Sequence, residues 1–504
     1  MATTAMRPTV PPTAAAPAAT APRRPRLTQP TGPPGLPGRS LLTRRRAVQR
    51  ALGFAGTALA LPAAFAALGA TACGPTAGPP TRGGKPLLEM WAFSRTRTAW
   101  QERAFKQYYG RGDGRGTPIR HGGKFDLNFL VLPYAQMHDK MMITTQAGQG
   151  GPDIVDIEIS RYSQFIKGGV VSFVPLNQYM RDFGGEDALF KGSATDPWSW
   201  QGDIHGLGNE LNACAMAYRW DLYDQYGIRT PLRTYEDLAE AGKKLQRDTG
   251  GKVFLIDFDI GGWGYWWIMT LQQGGGFFDN EGRPKWHEET GVRTMRFQQE
   301  ALYGPNKDGK DAWAMVPPAG PSRNAAFING EILTILGPSW NISGFPRQNL
   351  KQTDGKWMVQ PLPIWGSGPA TAPTATWGGT GVSVPRTARH RDWALEFVLW
   401  EHFTPDAVVE DYRERQVWPT LKKAWNLPEL TAPIPWFNNQ KVGDLINDVA
   451  DKIPKWFNSP FWPEGTDAFT RVGLVPALQG KRDPAQTLPE AKQEAERIIA
   501  FESA

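Results

Sequence analysis

Twenty-one tryptophans against twelve tyrosines dominate the side chains of this chain that could recognise or transform a ligand. Trp263, Tyr265, Trp266 and Trp267 are concentrated in "GGWGYWW", where flanking glycines fit an adaptable binding loop, although at least two of these four rings belong in a core. Trp377-Gly378-Gly379 lies in a Thr/Gly loop just before an apolar strand, and glycine lets backbone approach a ligand closely. Trp340 follows "GPS" at the end of another apolar run. Carboxylates recur at comparable places: Asp156 and Glu158 end "PDIVDIE", and Glu210 follows Asn209. Such groups accept charge-assisted hydrogen bonds. The six histidines are scattered, the two cysteines lack metal-ligand spacing, and Gly-x-Ser-x-Gly, His-Glu-x-x-His and Walker A patterns are absent. No cofactor or metal is expected.

The elements that must position these groups alternate. "LLEMWAF" (87–93) reads as a strand ending near Trp91, 99–109 as a helix, 125–133 as a strand, "AQMHDKMMITTQAG" as an amphipathic helix, and 152–158 as a strand. That order argues for parallel α/β units. Ala213–Tyr218 reads as a buried strand. "TYEDLAEAGKKL" reads as a helix capped by Thr234, with Glu236 and Asp237 in its first turn and Gly250 past its end. With 504 residues, two cores are expected.

Charge separates the N-terminal part from the rest. Residues 1–72 hold nine arginines and no acidic residue, so removing them from the net +7 leaves −2 for the remainder. No nucleic-acid footprint survives that removal. Residues 1–43 are rich in Pro, Ala, Thr and Gly and read as disordered. Consecutive arginines, including Arg45 and Arg46, precede twenty uncharged residues (51–70) and a small-residue site, which is the pattern of a secretory signal, and the twin arginines point to Tat export. "Ala70-Thr71-Ala72-Cys73" resembles a bacterial lipoprotein cleavage site, with Ala70 departing from the usual Leu. That resemblance implies lipidation of Cys73 and a tether over 73–86. A retained membrane anchor, with Cys73 incidental, is the alternative, since twenty residues reach across a bilayer.

The segment 202–252 resembles the tyrosine-strand and "TWDEL" helix of the family 1 extracellular solute-binding proteins, the carbohydrate-binding subunits of ABC importers, of which the maltose-binding type is one. "GGPDIVDIE", "GGVVSFVPLNQYM", "AAFINGEILTILGPSW", "WMVQPLPIW", "GGTGVSVPRTARHRDWALEFVLW" and "LQGKRDPAQTLPEAKQEAERI" are similar to further family segments, in the family's order over about 400 residues. The resemblance implies an α/β fold of two lobes, 87–209 with 380–416 and 210–379 with 417–504. Crossing segments near 209–213, 376–382 and 414–420 would form a hinge, and a ligand cleft would lie between the lobes. It implies no enzyme but a monomeric, lipid-anchored subunit on the outer face of the cell membrane, which closes on a mono- or oligosaccharide and delivers it to permease subunits with a cytoplasmic ATPase. Sugars present hydroxyl edges and apolar faces, so aromatic plates and fixed polar groups are what such a site requires. By the resemblance, Trp340 stacks on the sugar, Glu210 with Asn209 and Glu158 accept from its hydroxyls, and Trp91, Trp263, Trp266, Trp377, Gly378, Gly379 and Trp418 line the cleft. The rival reading is an exported carbohydrate hydrolase, which needs two carboxylates about 5–10 Å apart.

Overall fold

The computed structural model describes residues 80–167, 171–366 and 371–503. Cys73, Arg45, Arg46 and the whole 1–72 segment lie outside the described residues.

Two mixed sheets organise the chain. In the first, β2 (Lys85–Ala92) pairs in parallel with β3 (Asp126–Val131) and β4 (Ile154–Glu158), after a two-residue antiparallel β1 (Thr81–Arg82). Helices α1 (Arg95–Gln107) and α2 (Tyr134–Ala147) make the crossovers between these strands. This is the expected alternation of strand and helix, and each strand lies within a few residues of its predicted bounds. The sheet is then completed by strands that the alternation does not anticipate. β11 (Thr380–Ser383) runs antiparallel to β4, and β5 (Leu207–Gly208), distant from it in sequence, runs antiparallel to β11, giving the order β1-β2-β4-β11-β5 with β3 beside β2.

The second sheet has the order β8-β7-β9-β6-β10, from β6 (Ala215–Arg219), β7 (Phe254–Asp257), β8 (Ala314–Met315), β9 (Ile332–Gly337) and β10 (Trp357–Pro361). Between β6 and β7 runs α3 (Tyr235–Thr249). Its Thr234 hydroxyl accepts from the Asp237 amide at 3.0 Å, the Asp237 carboxylate accepts from the Thr234 amide, and Gly250 closes the helix in the left-handed region. All of that is local chemistry, and it follows the sequence reading closely.

The chain passes between the sheets three times: after β5, between β10 and β11, and after helix α7 (Pro405–Arg415). The crossings are hydrogen-bonded to one another. The Leu211 amide donates to the Trp418 carbonyl at 2.7 Å and the Cys214 amide to the Ala375 carbonyl at 2.9 Å. The Thr420 hydroxyl donates to the Gly208 carbonyl at 3.0 Å. Helix α6 (Arg391–Phe403) and α7, which packs on α1, cover the first sheet. Among the described residues no helix is long and apolar enough to cross a membrane, and no group of three His, Cys, Asp or Glu side chains is placed to hold a metal ion.

Candidate functional site

A cavity of about 420 Å³ lies where β7 and β9 of the second sheet end. After β7, the Asp259 carboxylate accepts from the Gly261 amide at 2.8 Å, turning the chain. A Cβ on Gly262 would come within 2.7 Å of that carboxylate, so the glycine lets Asp259 fold back over the turn. Helix α4 (Gly264–Leu271) then begins directly against Trp377. After β9, Trp340 opens a π-helical turn over 340–344.

The two expected indoles meet. Trp340 and Trp377 have ring centroids 5.0 Å apart at 56°, and the Trp340 indole N–H donates to the Trp377 carbonyl at 3.4 Å. Both are half-buried. Gly378 has φ +66°, and a Cβ there would press on Trp340 at 3.2 Å. Gly379, with φ +122°, packs instead under Asn212 at the crossing, so its role is steric rather than ligand-facing. Tyr265 stands edge-on to Trp377 at 6.2 Å.

The polar groups of this cavity were not singled out from the sequence. Arg323, near the start of α5 (Pro321–Asn329), donates from Nε to Asp257 Oδ2 at 2.6 Å and from Nη2 to Oδ1 at 3.2 Å. Burial pushes the Asp257 carboxyl up, against the pull of Arg323. Burial alone would lower the Arg323 guanidinium, but Asp257 holds it above its ordinary value. Asp257 could have been found by the reasoning applied to Glu158, because it is the carboxylate ending an apolar strand. Its cation, 66 residues away, has no local signal.

A second hollow of about 350 Å³ faces residues of both sheets: Tyr134, Ser160 and Arg161 after strands of the first, and Trp263, Trp462 and Asp467 from the second. Trp263 is half-buried and edge-on to Phe277 and Trp462, with Gly262 and Gly264 of the larger cavity on either side of it. Glu158 lies beside this hollow. Its carboxylate accepts from the Tyr134 hydroxyl and the Ser160 amide, both at 3.0 Å, and burial raises its pKa. Behind it His138 donates from Nδ1 to the Tyr134 carbonyl at 2.8 Å and accepts from the Glu158 amide at 3.1 Å. Burial pushes that imidazole down to about 4, so the ring is neutral.

Five expected site residues are placed elsewhere. Trp91 is 1 % exposed in the core below the first sheet, with the Lys140 ammonium over its ring and its N–H bonded to Glu89. Trp266 is completely buried, packs on Phe277 and Phe469, and donates to the Gly291 carbonyl at 3.1 Å. "GYWW" is the first turn of α4 rather than a loop, which turns all three of its aromatic rings inward. Trp418 is completely buried, and it is the backbone of this residue that serves the crossing. The Asn209 side chain is buried, with its Oδ1 2.6 Å from His402 Nε2. Glu210 is 4 % exposed, and its Oε2 accepts from Arg415 at 2.8 Å, so the side chain is buried in an ion pair at the crossing.

Comparison with known proteins agrees with this fold. A family model described as bacterial extracellular solute-binding protein matches residues 120–469. An arabinooligosaccharide-binding protein of Bacillus subtilis strain 168 is 25 % identical over 427 residues, spanning 82 % of this chain and 92 % of the relative. The sugar-binding protein MalE of Xanthomonas citri superposes with a TM-score of 0.67 at 16 % identity, covering 83 % of this chain and 100 % of that one. A maltose-bound MalE3 of Thermotoga maritima superposes with a TM-score of 0.63 at 17 % identity, over 82 % and 99 %. The two mixed sheets, the three crossings between them and the matched length have one conclusion: the chain belongs to the bacterial extracellular solute-binding proteins.

Proposed function

We propose that this protein is the substrate-binding subunit of an ABC sugar importer, and that Trp340 and Trp377 form the plate on which a sugar ring lies. The observation that carries the reading is the pair of half-exposed, packed indoles, Trp340 after a strand of the second sheet and Trp377 on the crossing before β11, beside the polar set Asp257, Asp259, Arg323 and Asn341. Aromatic faces beside a few fixed polar groups suit a ligand with apolar faces and hydroxyl edges. The relatives from Bacillus subtilis and Halalkalibacterium halodurans bind arabino-oligosaccharides, so arabinotriose is the first probe. Two lobes, 87–209 with 380–416 and 210–379 with 417–504, close on the sugar about the crossings. Binding energy realised only in the closed form shifts that equilibrium. Residues 1–72 direct export through Arg45 and Arg46, and acylated Cys73 holds the protein to the outer face of the membrane, near its permease. Two acyl chains would make that attachment stable.

The hydrolase alternative is disfavoured by the state of its carboxylates. Asp257 is gripped at both oxygens by Arg323, and Glu158 is engaged by Tyr134 and Ser160. Incubation of the purified protein with arabinotriose and related oligosaccharides, followed by product analysis and thermal unfolding, separates the readings. A rise in Tm with unaltered sugar supports capture, and released products overturn it. Mass spectrometry of the membrane-extracted protein tests the anchor by the presence or absence of an acylated Cys73 peptide.

A further inference from the structure

The three crossings converge on buried charges that the ligand cavity does not use. Arg97 on α1 is 2 % exposed, lies 3.0 Å from Asp156 of β4, and donates from Nη2 to the Thr380 carbonyl at 3.3 Å. Thr380 directly follows Trp377-Gly378-Gly379. Arg415, the last residue of α7, donates from Nη1 to Glu210 on the first crossing at 2.8 Å. It also grips both oxygens of Asp411, at 2.5 and 2.6 Å. On α6, Glu401 is completely buried against the Gln101 amide at 3.3 Å. Each crossing is thus tied to one cluster: the first through Glu210, the second through the Thr380 carbonyl, and the third through Arg415.

The charges do not balance. Two guanidiniums face three carboxylates, and burial pushes the Glu401 carboxyl beside them well up. One negative charge is therefore in excess inside the protein, where it is poorly solvated.

We propose that Arg97, Asp156, Glu210, Asp411 and Arg415 are positioning residues that form a proton-sensitive lock across the hinge, so that proton uptake by the cluster frees the Thr380 strand end and weakens closure on the Trp340–Trp377 plate. The inference rests on the lobe-closure reading above. Asp156 is the member set to titrate, because burial pushes its carboxyl up to about 6, against the pull of Arg97 and Arg415 and aided by Asp411. The ionisable groups facing it are Arg97 from α1, Glu401 from α6, and Asp411 and Arg415 from α7, with Glu210 beyond Arg415. His402 on α6 is pushed down to about 4 by burial and stays neutral through this range. Above pH 6 Asp156 is ionised and the Arg97 pair is intact. Below it the pair is lost; Arg97 lowers the Asp156 carboxyl in the locked hinge, so a released hinge that draws Arg97 away while Asp156 stays buried binds this proton more tightly than the locked one. Reciprocity then makes ligand affinity fall with acid.

The test is calorimetric titration of the folded protein with arabinotriose between pH 5 and 7.5, alongside small-angle scattering of the ligand-free protein over the same range. Coupling of one proton predicts about a tenfold loss of affinity from pH 7 to pH 5. Asp156→Asn should bind weakly and without pH dependence. Should that variant fail to fold, Asp411→Asn removes a charge that raises the Asp156 carboxyl and should move the midpoint to lower pH, a displacement that a purely structural role would not produce. Flat wild-type profiles in both measurements, or an unmoved midpoint in Asp411→Asn, overturn the proposal. If arabinotriose does not bind, the scattering arm still decides it: a dimensional change near pH 6, absent in Asp156→Asn, upholds the lock even though the oligosaccharide reading falls.

Discussion

Gly264→Ala should move the Trp377 indole without removing it. An added Cβ at this first residue of α4 would lie 2.3 Å from Trp377 Cζ2 and 2.5 Å from Cε2, whereas ordinary contact begins at 3.4 Å. The ring must therefore retreat by about 1 Å, since the helix backbone cannot. Overpacking of this kind costs about 1–3 kcal/mol, and Gly→Ala inside a helix returns about 1 kcal/mol, so net stability should fall by no more than about 2 kcal/mol. Binding should suffer more in proportion. If roughly ten carbon pairs at about 0.15 kcal/mol each join a sugar face to the indole, a 1 Å gap forfeits up to about half of that contact. A backbone shift accompanying the ring would also loosen the bond from Trp340 to the Trp377 main-chain carbonyl. Together these predict a three- to tenfold rise in Kd at about 1 kcal/mol. Calorimetric titration with arabinotriose measures the affinity, and thermal unfolding shows that the fold persists. A variant that is folded and binds within twofold of wild type would refute the assignment of Trp377 to the ligand surface.

Trp377→Ala should weaken binding further while leaving Tm nearly unchanged, whereas Trp266→Ala, in the core, should cost about 3–5 kcal/mol in denaturant unfolding. Arg415→Met strands two buried carboxylates, Glu210 and Asp411, and should cost about 3–5 kcal/mol, against under about 1 kcal/mol for Arg82→Ala at the half-exposed pair with Asp126. Burial pushes His138, His205 and His402 down to about 4. The unfolded chain therefore binds more protons between pH 6.5 and 4, so the stability these rings contribute is complete above pH 6.5 and is lost as pH falls through that window. His205→Gln should reduce the proton uptake on unfolding at pH 5 by about one, read from the pH dependence of denaturant midpoints. Cys214 is fully buried, and burial pushes its thiol well up, so the native protein should leave this thiol unmodified by a water-soluble maleimide that labels the urea-unfolded chain.

Legibility in the sequence followed distance along the chain. The parallel strands β2, β3 and β4 and the cap of α3 depend on residues within a few positions of one another, and their sequence pattern located them closely. The placement of Trp340 and Trp377-Gly378 at the ends of apolar runs was equally local, and the structure brings those rings together. Trp263 and Trp266 stand three residues apart in one glycine-flanked cluster, yet only the first reaches a hollow. What separates them is Phe469, some 200 residues further on, which closes over Trp266.

The carboxylates make the same point more sharply. Sequence alone determined that Glu158 and Glu210 would sit where the chain leaves a strand or enters a crossing, because backbone direction and side-chain alternation are set by neighbouring residues. Tertiary structure alone decided what each carboxylate does. Arg415 reaches Glu210 across 205 residues, and Tyr134 reaches Glu158 across 24. Whether a carboxylate binds a ligand, pairs with a cation or takes up a proton depends on the water removed around it and the charges brought to it. Both are set by atoms that meet only when the chain has folded.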